Sequence, residues 1–184
     1  KNYFKKIMTQ CSALMQSIID NPKPVIAQVA GVATAAGCQL IASCDLAYAG
    51  KSASFATPGV NIGLFCSTPM VALSRNISNK NSMEMLLTGE LVSADKAEKV
   101  GLINKAVDDS LLHNYTLEMA LKISKKSSMT LKIGKEAFYK QIDMTLSKAY
   151  DYASNVMVKN MLKLDAEEGI EAFIEKRSPK WKDK

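Results

Sequence analysis

Residues 25–42 form the most apolar stretch of the chain, yet its centre is built from Gly, Ala and Thr rather than from large side chains. Gln28 and Gln39 interrupt it, so it falls short of the roughly 20 uninterrupted apolar residues a membrane helix needs. It must instead be folded into a core. Residues 25–29 (Val-Ile-Ala-Gln-Val) read as a short buried strand. The run that follows, Gly31-Val-Ala-Thr-Ala-Ala-Gly37, has side chains small enough for another group to approach the backbone, whether a ligand or a packed neighbour. It leads into a short helix expected over residues 38–44.

The rest of the sequence frames that stretch. At 184 residues the chain is long enough for one substantial domain. Its net charge of +6 comes from scattered lysines, with a modest cluster over residues 176–184 and no aromatic–basic interleaving, so a nucleic-acid partner is not expected. A membrane partner is not expected either. The four cysteines (Cys11, Cys38, Cys44, Cys66) lack metal-site spacing, which points to free thiols in a reducing compartment and to no metal. The single histidine, His113, falls in an expected surface helix. The sequence opens without Met, on a Lys-rich amphipathic stretch unlike a secretory signal, and inside an expected helix over residues 1–19. A processed or truncated product is the expectation.

Helical periodicity over residues 1–19 is stopped by Asn21-Pro22-Lys23-Pro24, since proline cannot continue a helix. Strands are expected at 46–49 and 53–56, with a turn at Pro58-Gly59. Ser67 is expected to cap a helix to about Ile77, and a second helix covers roughly 80–87 before Gly89. Ser93 caps a third, which Gly101 closes, and a strand follows at 102–107. Beyond Asp109 the pattern is helical. Leu112, Tyr115, Met119 and Ile123 share one face, and residues 131–141 form a further helix. Asp143 is expected to cap a long helix to Leu164, and Asp165 with Glu168 outlines a capping box. The reading is an α/β core over residues 1–107 and a helical region over 108–184.

Three motifs carry a resemblance. The first is Lys23-Pro-Val-Ile-Ala-Gln-Val-Ala-Gly31, with Ala35-Ala-Gly-Cys-Gln39 and Cys44-Asp-Leu-Ala-Tyr-Ala49. The second is Ser54-Phe-Ala-Thr-Pro-Gly-Val-Asn-Ile-Gly-Leu64, and the third Met83-Glu-Met-Leu-Leu-Thr-Gly89 with Ser93-Ala94, Ala97 and Gly101-Leu102-Ile103. In order and spacing they resemble the enoyl-CoA hydratase/isomerase (crotonase) superfamily. The segment from Glu168 to Arg177 matches as well. Within the superfamily, residues 33–39, 55–61 and 63–69 look most like the enoyl-CoA hydratase domain-containing protein 3 group. The resemblance implies a crotonase-like spiral of ββα units, here partial because nothing before residue 24 resembles the family's first third. It also implies a C-terminal helical region that assembles a homotrimer or a dimer of trimers. The implied partner is an acyl-CoA thioester, with coenzyme A as part of the substrate rather than a bound cofactor. The implied compartment is a bacterial cytoplasm or a mitochondrial matrix.

The chemistry such a site performs builds negative charge on the thioester oxygen, and backbone N–H groups aimed at that oxygen stabilise it. By the resemblance, one of these N–H groups belongs to Ala36 and lies beside Gly37, with Thr34 and Ala35 flanking the ligand. The family's first third would supply the other. The two glutamates that deliver water in hydratases fall at Gln39 and Gly59. Gln39 can orient a water but cannot exchange a proton at neutral pH, and Gly59 has no side chain. Other members place an aspartate at the position of Ser67. Thr57, Pro58, Asn61, Ser67 and Thr68 are candidates to contact ligand or water. Phe173 and Lys176 line the acyl or CoA end by resemblance, Lys176 being equally readable as part of a solvated basic tail, and Trp181 stands where an aromatic is usual. Cys38 and Cys66 read as core thiols, Asp45 as a turn residue and Glu84 as a surface residue. Two functions stay open: an enzyme whose chemistry needs little acid–base help, such as a CoA-thioester decarboxylase or lyase or a slow hydratase, and a non-catalytic acyl-CoA binder.

Overall fold

The computed structural model describes residues 1–183 as a mixed α/β protein that falls into two compact units. The first comprises residues 1–19 and 25–119; the second comprises residues 20–24 and the chain from Ala120 onward. The helical sequence begins at residue 108, but the second unit begins inside the helix Leu112–Ser124.

The first unit opens with α1 (Asn2–Ile19), whose Met15 and Ile18 are buried. The chain then takes two short strands and a helix: β1 (Ile26–Val29), β2 (Val32–Thr34) and α2 (Ala36–Ser43). It repeats the step with β3 (Leu46–Gly50) and β4 (Ser54–Ala56), a 3-10 turn at Pro58–Ile62, and the helices α3 (Ser67–Asn76) and α4 (Asn79–Thr88). A last step adds β5 (Val92–Ser93), α5 (Ala94–Val100) and β6 (Lys105–Val107). β1, β3 and β6 form one sheet, in the order β1-β3-β6, and all its pairs are parallel. β2, β4 and β5 form another, in the order β2-β4-β5, with β4 and β5 antiparallel. This is the expected ββα spiral. Its core holds Phe55, Leu73 and Leu86 almost without exposure, closed by the small residues Ala49, Ala94 and Ala97.

Several local expectations are corrected. The small-residue run contains a strand, β2, because Val32–Thr34 pairs with Ser54–Ala56. Cys66, not Ser67, takes the N-cap position of α3, and the Ser67 hydroxyl donates to the Phe65 carbonyl instead. Leu102 and Ile103 are buried in a turn, and only Lys105–Val107 is strand. Ser93 and Gly101 close α5 as expected: the Ser93 hydroxyl accepts from Lys96 N–H, and Gly101 adopts φ +86°. Ser78 and Ser127 cap two further helices in the same way.

The remaining helices are α6 (Leu112–Ser124), α7 (Ser128–Gln141), α8 (Leu146–Met161) and α9 (Leu164–Ile174). Thr145, not Asp143, precedes α8, which ends before Leu164. Asp165 and Glu168 form no capping box, since Lys163 is at the N-cap and both acids lie inside α9. Both bind the C-terminal tail. The buried Asp165 carboxylate accepts from the backbone N–H groups of Lys182 and Asp183 at 2.7 and 3.1 Å. Glu168 accepts from the Arg177 guanidinium at 2.6 and 3.2 Å and from Lys180 N–H at 2.7 Å. The Trp181 indole donates to the Lys125 carbonyl at 2.7 Å and lies against Gly169, where a Cβ would stand 3.3 Å from the ring. Asp183 then accepts from Ser128 N–H at the start of α7.

Arg177, followed by the Lys180 N–H, holds Glu168 at about 2, against an ordinary 4.5. A depressed carboxyl stabilises the docked tail above its ordinary value and loses that contribution as pH falls. Fluorescence of Trp181, the only tryptophan, should report a docked tail above about pH 4.5 and its release as pH approaches about 2. Glu168→Gln should shrink that acid step; an unchanged titration would show that the tail is held by other contacts.

Candidate functional site

Of the sequence-predicted residues of the first unit, Thr34, Ala35, Ala36, Gly37 and Gln39 lie at the N-terminal end of α2. The β2–β4 pairing runs from Val32↔Ser54 to Thr34↔Ala56, and one further bond, Ala35 N–H to Ala56 O at 2.9 Å, extends it to the corner. There Ala35 takes φ 49°, ψ −112°, a conformation that favours glycine and costs a residue with a Cβ about 1–3 kcal/mol. The strain turns the chain abruptly from strand to helix. The first intrahelical bond of α2 is Gln39 N–H to Ala35 O, so the N–H groups of Ala36 and Gly37 precede it. Ala35 has no side chain that could cap them. Ala36 is exposed and Gly37 half-buried. Two backbone donors at the positive end of a helix dipole suit an oxygen carrying negative charge. A Cβ at Gly37 would meet only the Ala33 methyl at 3.9 Å, so space alone does not demand glycine there.

The two positions that lack glutamate differ in kind. Gln39 is buried, and Cys11 of α1 donates its thiol to the Gln39 Oε1 at 3.8 Å. Gly59 lies in the 3-10 turn after β4. Its N–H donates to the Cys66 thiol sulfur at 3.3 Å, and its carbonyl accepts from Leu64 N–H at 2.9 Å. A Cβ at position 59 would fall 2.6 Å from the Leu64 carbonyl oxygen and 2.9 Å from Cys66 Sγ. The loop is therefore folded onto the glycine, and any side chain there must push backbone aside.

The other candidates separate. Thr34 and Asn61 are exposed, as is Ser67, whose hydroxyl is engaged by Phe65. Thr68 and Pro58 are half-buried, and Pro58 packs against Gly89. Thr57 does not fit its expected contact with a ligand: it is wholly buried, and among the described residues its hydroxyl has no hydrogen-bond partner. Ala56 beside it is buried as well, so strand alternation gives no signal for that burial. Burial pushes the Cys38 thiol up to about 12, with Cys66 adding to the shift, so Cys38 is an inert core thiol, as read from sequence. Asp45 accepts from Val25 N–H at 2.7 Å, which pins the C-terminal end of α2 to β1. Glu84 is exposed and paired with Lys96. Phe173, which is 85% exposed, and Lys176 belong to the second unit. Among the described residues no group of His, Cys, Asp or Glu could hold a metal, and no helix is long and apolar enough to cross a membrane.

Comparison with known proteins agrees with this fold. Residues 4–184 match the family model described as enoyl-CoA hydratase/isomerase. The mitochondrial enoyl-CoA hydratase domain-containing protein 3 of Mus musculus is 50% identical over 181 residues, covering 98% of this chain and 60% of the relative. The chain thus spans about three-fifths of the length of such relatives. The crystal structure of an enoyl-CoA hydratase from Mycobacterium smegmatis superimposes with a TM-score of 0.96 at 48% identity, over 98% of this chain and 70% of that one. The human enoyl-CoA hydratase domain-containing protein 3 structure gives 0.96 at 49% identity, over 98% and 71%. Mitochondrial and bacterial proteins are both among the relatives.

The Thr57 hydroxyl is hydrated in the unfolded chain, and in the folded one it has no partner among the described residues. Thr57→Val, of nearly the same shape, should therefore raise stability by about 1 kcal/mol in a urea titration. A loss of more than that amount would reveal a hydrogen bond to the hydroxyl.

Proposed function

Because this chain belongs to the enoyl-CoA hydratase/isomerase family, we propose that it binds acyl-CoA thioesters with the thioester carbonyl oxygen at the N-terminal turn of α2, and that it is not an efficient hydratase. The observation that carries the reading is the uncapped turn beyond the strained Ala35, with the Ala36 and Gly37 N–H groups offered together. Donors of this kind are worth on the order of 3 kcal/mol each to a developing oxyanion. Coenzyme A enters as part of the substrate.

Hydration needs more than an oxyanion site. One group must take a proton from water and another must give one to carbon, typically worth 10²- to 10⁴-fold each. No residue at the family's two positions does so here. Gln39 is a neutral amide, and Gly59 is closed off by Leu64 and Cys66. Thr57 is sealed in the core, and the Cys38 thiol stays protonated at neutral pH. What is left is stabilisation of an enolate-like oxygen without proton exchange. That supports acyl-CoA binding, with or without a reaction that proceeds by oxyanion stabilisation alone.

With crotonyl-CoA, the loss of enoyl absorbance should be slower by on the order of 10⁴-fold than for a hydratase carrying both glutamates. Calorimetry should still detect acyl-CoA binding. Gly59→Glu should destabilise the loop rather than restore activity, since overpacking of this kind typically costs about 1–3 kcal/mol or more. Fast natural hydration would sink the reading by exposing another acid–base pair.

A second reading concerns assembly. Leu146, Tyr150, Met157 and Met161 recur at helical spacing along one side of α8, and all are exposed in the single chain. Such a stripe is costly in water and suits an obligate subunit contact. We propose that it is covered in a homotrimer or a dimer of trimers. Light scattering should show an oligomer that Met157→Lys weakens; a monomeric natural protein would remove the assembly.

A further inference from the structure

Gln39 carries a hydrogen-bond donor that nothing among the described residues takes up. The residue is 4% exposed and lies in the first turn of α2, three positions after Ala36. Its amide oxygen accepts from the Cys11 thiol at 3.8 Å. Its backbone is engaged too, the N–H donating to the Ala35 carbonyl and the carbonyl accepting from the Ser43 hydroxyl. The amide nitrogen Nε2 has no hydrogen-bond partner among the described residues. Unlike the Thr57 and Ser82 hydroxyls, it is not sealed from the surface. A buried amide left in this way is costly unless a ligand or water answers it.

Helix geometry sets where that nitrogen lies. Residues three apart share a helix face, and a helical side chain leans toward the N-terminal end of its helix. Gln39 therefore extends over the turn that presents the Ala36 and Gly37 N–H groups. Cys11 reaches it from α1, which packs on α2. A thiol donates, and its sulfur is a weak acceptor, so Cys11 takes the oxygen end of the amide and leaves the NH2 end for a ligand. The Gln39 side chain is thus held as a donor only.

A donor calls for an acceptor. With a thioester oxygen on the Ala36 and Gly37 N–H groups, Gln39 stands one helical turn away, about 5 Å along α2. That is the reach of an oxygen on the third carbon of the acyl chain. A carbonyl there accepts from Nε2 with nothing left over. A hydroxyl accepts equally, but its own proton meets an amide oxygen that Cys11 already occupies. Resting on the acyl-CoA reading above, we infer that Cys11 is a positioning residue for Gln39 and that the pair selects 3-oxoacyl thioesters over their 3-hydroxy counterparts.

The test is calorimetric titration of the intact protein with acetoacetyl-CoA, either enantiomer of 3-hydroxybutyryl-CoA, and butyryl-CoA, which share a four-carbon chain and differ only at its third carbon. Acetoacetyl-CoA should bind roughly threefold to tenfold more tightly than the 3-hydroxy thioester, the worth of one neutral hydrogen bond. Gln39→Glu, an acceptor of the same shape, should invert that preference. Cys11→Ala frees the amide to turn over and should bring the ratio towards one, while Cys11→Ser, which keeps a donor, should hold more of it. Damage to the fold lowers both affinities and leaves their ratio, so the ratio reports the amide. Equal binding of the 3-oxo and 3-hydroxy thioesters by the natural protein, with butyryl-CoA still bound, overturns the inference and leaves acyl-CoA binding intact. A ratio that Cys11→Ala does not move overturns the positioning role. Absence of binding by all three thioesters removes the acyl-CoA reading and the inference with it.

Discussion

The hydrogen bond from Ala35 N–H to the Ala56 carbonyl is the constraint on which the rest of the site depends. It carries the β2–β4 pairing one residue past the regular ladder and obliges Ala35 to turn at φ 49°. The helix that starts there has no side-chain cap, because an alanine occupies the capping position. An ordinary serine or aspartate would satisfy those N–H groups from within. Leaving them open makes the turn less stable and more useful. Asp45 holds the other end of α2 through Val25 N–H, so the helix is fixed at both ends by bonds to strands.

Around that fixed helix Gln39 and Gly59, two positions without a carboxylate, differ in kind. Gln39 is a neutral amide in a buried setting shared with Cys11. At Gly59 the backbone has closed over the space a side chain would need, with the Leu64 carbonyl and the Cys66 sulfur inside contact distance. The first is a matter of protonation chemistry, the second of loop geometry. The loop's own bonds to Gly59 hold it in that closed form, so the missing side chain and the fold of the loop depend on one another.

The second unit is organised by charge-assisted bonds rather than by core volume. Asp165 and Glu168, one turn apart on α9, collect the backbone N–H groups and the guanidinium of the tail. Trp181 then reaches the Lys125 carbonyl, and Asp183 reaches the start of α7. The tail is thereby tied to α9, to the start of α7 and to the turn between α6 and α7. A buried carboxylate is tolerable there because it accepts backbone donors at short range.

Much of this was legible in the residues. The family motifs, the Ser93 and Gly101 helix ends and the core character of Cys38 all follow from identity and local spacing, because each is decided within a few residues. Three things were not. The burial of Thr57 depends on what covers the strand face it shares with Phe55. The closure of the loop on Gly59 depends on residues five and seven positions later folding back. Asp165 looked like half of a capping box and proved to be the receptor of a tail that arrives 17 residues later. The sequence by itself determined which chemical groups the protein has and lacks at its site. Only the tertiary structure decided which of them are buried and which exposed, because burial and backbone approach are set by contacts between distant segments.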